Sequence, residues 1–175
     1  MKEATNKLPN SVLVNLYKES IVLGIAPVNV DKKAQTEDNS PIKPIQFLGA
    51  HQKKILILVQ DTNALHLNEG DFDLLIAILN ACKLTMADIA LINLANTNYS
   101  LHQILTQAPS DMVLVFDIHP TQLKIKLPNK LYTPILLGTT QLLFSNNLSS
   151  MRGIDQISKI EKTKLWTALK LLFKL

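Results

Sequence analysis

The stretch KKILILVQDTNALHLNEGDFDLLIAILNACKLTMADIALINL, Lys53–Leu94, decides the fold. Its apolar run from Lys54 to Gln60 has the continuity of a strand buried on both faces, as in a parallel sheet, rather than the alternation of a half-exposed strand. A polar loop follows. Asn68 then stands where a helix cap belongs, with Glu69, Asp71 and Asp73 in the first turns, where the helix dipole favours negative charge. Phe72, Leu75, Ile76 and Leu79 follow at i, i+3, i+4 and i+7 and define one buried face. Ile89–Leu94 is a second buried strand.

Working outward, Ser100 can cap a short helix carrying Leu101, Ile104 and Leu105, closed by Ala108-Pro109. Met112–Phe116 is a third strand. The alternation βαβαβ implies parallel strands joined by right-handed crossovers. Ile135–Leu137 and Leu142–Phe144 read as two further short strands around Gly138-Thr139-Thr140, a candidate hairpin. From about Asp155 to Leu175 the spacing predicts a helix. Leu165, Trp166, Leu169, Leu172 and Phe173 form its apolar arc, and Lys159, Lys170 and Lys174 lie on another side. The expected fold class is α/β, a three-layer α/β/α sandwich around a mainly parallel sheet of four or five strands.

Before Ile45 the pattern changes. Residues 10–21 read as a short amphipathic helix with Leu13, Val14, Leu16, Tyr17 and Ile21 at helical spacing. Residues 27–44 hold prolines and charges with almost no apolar bulk, the composition of a linker. The expected organisation is therefore an N-terminal arm at 1–26, a linker at 27–44 and an α/β domain at 45–175.

Composition limits the functional classes. The chain has 175 residues, 47% of them hydrophobic, which suits a packed domain and excludes bulk disorder. One cysteine, Cys82, permits no intrachain disulfide and suits a small core position in its helix. No apolar run reaches the ~18 residues of a membrane helix, and residues 1–10 have no apolar signal region, so the expected location is cytoplasmic. The net charge of +4 is uneven. Residues 61–123 carry seven acids against Lys83, whereas residues 124–175 carry eight lysines and Arg152 against Asp155 and Glu161. A basic last third could face an acidic partner or DNA, but Arg152 is the only arginine, and phosphate-clamping surfaces favour arginine.

Motifs of the common enzyme classes are missing. There is no phosphate-binding GxxxxGK[ST], no GxGxxG after the first strand, no GxSxG and no HExxH among His51, His66, His102 and His119. No cofactor or metal is expected. The remaining candidates are positional, because ligands of open α/β sheets bind outside the carboxyl ends of the strands. Those ends carry Gln60-Asp61-Thr62-Asn63, Asn93, and Asp117 with His119-Pro120-Thr121. Short polar residues there also serve ordinary turns and caps.

Gln60-Asp61, Leu91-Ile92-Asn93 and His119-Pro120-Thr121 resemble, in the same order, the strand-end motifs of uracil-DNA glycosylases. That resemblance implies that Asp61 activates water, Asn93 reads the base and His119 stabilises the leaving oxyanion. Val59, Thr62 and Asn63 replace the Gly, Pro and Tyr that shape the glycosylase pocket, which argues against a specific glycosylase.

A second resemblance covers most of the chain. The arm, the linker, the strand–polar loop–helix–strand order of residues 53–94 and the Leu165-Trp166 pair in the final helix resemble the psi subunit family of bacterial DNA polymerase III. It implies a glycosylase-like fold without activity and a sheet order 2-1-3-4. It also implies an accessory role, with the N-terminal peptide on the tau/gamma subunit of the clamp loader and the domain on a chi-like subunit. Leu13, Val14, Leu16 and Tyr17 are then the partner-binding residues, and DNA is reached only through the complex. The alternative expectation is a glycosylase-like enzyme or nucleic-acid binder that uses Asp61, Asn93 and His119.

Overall fold

The computed structural model describes residues 44–95 and 97–174, all within the second of the chain's two compact units, Pro41–Leu175. The helix read at residues 10–21 and nearly all of the linker lie outside the described residues. Along the chain run β1 (Ile55–Val59), α1 (Glu69–Ala81), β2 (Ile89–Asn93), α2 (Leu101–Gln107), β3 (Met112–Phe116), β4 (Ile135–Leu137), β5 (Thr140–Ser145), a 3-10 turn (Ser149–Met151) and α3 (Gln156–Phe173). They form an α/β fold around one five-stranded sheet of order β2-β1-β3-β5-β4.

The continuous apolar runs are the parallel strands β1, β2 and β3. Ile55 pairs with Ile89 of β2 on one side and Met112 of β3 on the other, and β1 is buried from end to end. The period-2 alternation of a strand divides its side chains between two cores. Ile55, Ile57 and Val59 meet Leu75 and Leu79 of α1 and Leu165, Leu169 and Leu172 of α3. Leu56 and Leu58 meet Leu101 and Ile104 of α2 on the opposite face.

The fourth place in the sheet differs from the expected order. β5, not β4, runs parallel beside β3, with Val113 opposite Leu142. β4 folds back antiparallel on its outer side, joining Leu137 to Thr140 around Gly138 at φ +61°. The hairpin read from Gly138-Thr139 is present, and its tightness puts the earlier strand at the edge. The opposite edge is covered by a segment that sequence periodicity did not reveal. Leu48 and Leu91 exchange backbone hydrogen bonds of 2.8 and 2.9 Å, which screens the free side of β2.

The helix ends follow their capping residues. The Asn68 side chain accepts from the Asp71 N–H, Ser100 and Gln103 form a reciprocal capping box, and Asp155 accepts from the Ser158 N–H. α3 is also tied to the sheet by a buried polar cluster. Glu161 accepts hydrogen bonds from the Tyr132 hydroxyl and from Asn146 Nδ2, the latter at 2.6 Å, and pairs with Lys164 at 2.9 Å. Tyr132 has φ +57°, an unfavourable region for an aromatic residue, held here by its hydroxyl anchor.

Burial and the bond to Glu161 push the Tyr132 hydroxyl up to about 12. A raised value means that folding favours the neutral phenol. Its contribution is complete below the unfolded value near 10 and is lost as pH rises through about 12. Ultraviolet titration should show a tyrosine step near pH 12 that disappears in Tyr132→Phe. A titration unchanged by that substitution would contradict the cluster.

Candidate functional site at the carboxyl ends of the strands

In the order β2-β1-β3-β5, the connection from β1 runs to β2 on one side and the connection from β3 runs toward β5 on the other, so the crevice between the carboxyl ends of β1 and β3 is the switch point where such folds place ligands. A cavity of about 220 Å3 opens there, lined by residues of the β1 end such as Asp61 and Asn63, by Asn68 and Asp71 of the α1 N-terminus, and by Asp117 and Ser149.

Asp61 is buried and builds this loop from within. Its Oδ1 accepts from the Asn63 N–H at 2.9 Å, and its Oδ2 accepts from the Asn68 N–H at 2.8 Å and from Asn68 Nδ2 at 3.0 Å. These donors, led by the Asn63 backbone, outweigh desolvation and hold the carboxyl below its ordinary value. Asn93 closes the same loop from β2. Its Oδ1 accepts from the Asp61 N–H at 3.0 Å, and its Nδ2 donates to the carbonyls of Asp61 at 2.7 Å and Ala64 at 2.9 Å.

Asp61 and Asn93 are thus brought together, joined through the loop backbone. His119 follows β3, and Gln122, which accepts from its N–H at 2.8 Å, reaches Gln60 at 3.4 Å. The histidine sits on an exposed turn, outside the cavity lining, with Nδ1 2.8 Å from Thr121 Oγ1. Asp117 does reach the cavity, at φ +58°. Its N–H donates to the Ser145 carbonyl at 3.0 Å, so the left-handed turn keeps the β3–β5 contact to the rim. Leu13, Val14, Leu16 and Tyr17 lie outside the described residues.

The sequence reading missed the residues that lock the crevice wall. Asp71, read from the sequence only as an acid favoured by the α1 dipole, is buried. Its Oδ2 accepts from Asn68 Nδ2 at 2.8 Å and from Ser149 Oγ at 2.5 Å, and its Oδ1 lies 3.2 Å from Arg152 Nε. Gly70 makes room for that arginine, since a Cβ there would stand 1.9 Å from Arg152 Nη1. The one signal available in advance was that Arg152 is the only arginine.

The chemistry of the crevice is that of a braced polar loop. The carboxylate with the strongest motif match already accepts three N–H donors, and the amide beside it is engaged at both ends. Among the described residues no group of three His, Cys, Asp or Glu side chains is placed to hold a metal ion, and no helix is long and apolar enough to cross a membrane. Comparison of the chain with protein-family models and with curated proteins finds no match.

Proposed function

We propose that this chain is a non-catalytic, psi-like accessory subunit of the bacterial replicative DNA polymerase III, with a glycosylase-like domain. The N-terminal arm engages the tau/gamma subunit of the clamp loader through Leu13, Val14, Leu16 and Tyr17, and the domain engages a second, chi-like component. DNA is met through the assembly. The observation that carries the non-catalytic part of this reading is the engagement of Asp61 by three N–H donors. A general base must accept a proton from water, yet both oxygens of this carboxylate are directed at the N–H groups of Asn63 and Asn68. The β2-β1-β3-β5 run supports the glycosylase-like fold, if the hairpin strand β4 is set aside as an edge addition.

The test separates structure from catalysis. The protein should release no uracil from single- or double-stranded DNA. Asp61→Asn should lower stability by about 2 kcal/mol, because an amide directs donors at donors where a carboxylate accepted. In the wild type this contribution is present above the ordinary carboxylate range and is lost as pH falls through the lowered value of Asp61, so the stability gap between the two proteins should close in acid. Uracil release by the wild type that disappears in Asp61→Asn would overturn the proposal.

A further inference from the structure

On the face of the sheet that carries both α1 and α3, we infer that the groove between these helices is the docking site for an acidic amphipathic helix of a partner protein. The groove encloses about 210 Å3 and is walled by Leu74, Ala77, Ile78 and Ala81 of α1 and by Leu165 and Trp166 of α3. Ala77 and Ala81 stand one turn apart and are exposed, so α1 offers a low apolar strip. Facing it, Lys162, Trp166 and Lys170 follow one another at four-residue spacing, the spacing of a helix ridge. Trp166 is 37% exposed, and Lys170 Nζ lies 5.9 Å from the centre of its ring.

The occupant follows from these walls. Both are helices with their backbone groups bonded internally, so no strand can add to them, and side chains must provide the contact. A helix laid along the groove does this with one apolar face. Lys162 is the only charged residue in the groove lining among the described residues, and the same ridge adds Lys170 just beyond it, so the flanks of the incoming helix should carry carboxylates. Lys162 Nζ donates to the Gly153 carbonyl at 3.1 Å and keeps further N–H groups for a partner. A second copy docked two-fold on the same groove would set this lysine ridge against itself. The rigid, half-exposed Trp166 is the kind of side chain that anchors such contacts. The inference rests on the adaptor reading only in requiring that the domain serve a protein partner.

Trp166 is the sole tryptophan of the chain and reports on the groove directly. Full-length protein should be titrated with a synthetic amphipathic peptide that has leucines on one face and glutamates flanking them, and with its counterpart carrying lysines for glutamates. The glutamate peptide should shift Trp166 emission saturably, and the lysine peptide should bind at least about tenfold more weakly. Ala77→Glu, at an exposed position, should keep the melting temperature and weaken the glutamate peptide about tenfold or more. No emission change at high peptide, equal response to both peptides, or binding undiminished in Ala77→Glu would overturn the inference. So would an emission shift that grows with protein concentration alone and accompanies a dimer in sedimentation. A chain that binds the glutamate peptide but no clamp loader would refute the adaptor reading and uphold the groove.

Discussion

Gly49→Ala should lower the stability of the domain by about 3 kcal/mol or more. Gly49 has φ +114°, a conformation that residues with a Cβ rarely adopt. It also passes so close to β2 that an added Cβ would lie 2.2 Å from the Ile89 carbonyl oxygen and 2.6 Å from that of Met86. Both obstacles are backbone atoms, so neither can swing aside. Relief requires the 48–53 segment to move off β2. That breaks the Leu48–Leu91 pair and the hydrogen bonds from His51 to Ile89 and from Lys53 to Asp88, each 3.0 Å. Urea unfolding monitored by circular dichroism measures the loss. A cost below about 1 kcal/mol would mean that the segment does not cross β2 as described.

Leu79→Ala should cost roughly 2–5 kcal/mol. Leu79 is 1% exposed and, with Leu75 at 0%, fixes α1 to Ile55, Ile57 and Val59 of β1. The loss combines the transfer of its methyl groups with a cavity that the sheet, hydrogen-bonded on both sides of β1, cannot collapse to fill. Typical domains have only ~5–15 kcal/mol in total, so the variant should melt well below the wild type in calorimetry. A cost near zero would mean that α1 presents another face to the sheet.

What the sequence reveals of this fold depends on how far along the chain each signal reaches. Local signals were read well. Asn68 and Ser100 cap their helices because capping involves the next three residues only, and Leu75 and Leu79 are buried because helix periodicity is itself local. The apolar runs of β1, β2 and β3 identified a parallel sheet because burial on both faces removes the alternation that partly exposed strands show. Contacts between distant segments were not legible. Leu48 pairs with Leu91 through backbone atoms, which leave no trace in side-chain pattern. Asp71 meets Ser149 across 78 residues of separation, so an acid placed well for a helix dipole proved to be a buried partner of another loop. The strand ends were located correctly as a group. His119 lies on an exposed turn outside the cavity lining, its ring nitrogen held by Thr121, a contact within the turn that the motif order did not show.

Binding of the full-length chain to the purified tau/gamma subunit of a clamp loader tests the central claim most directly, with the Leu16→Asp plus Tyr17→Asp variant measured alongside by calorimetry. A short isolated helix is only marginally stable in water and needs a surface on which to bury its apolar face. If that surface belongs to the clamp loader, the wild type should bind saturably, and the double variant should lose binding while keeping its melting temperature. A wild type that does not bind, or a variant that melts several degrees lower yet still binds, would contradict the account.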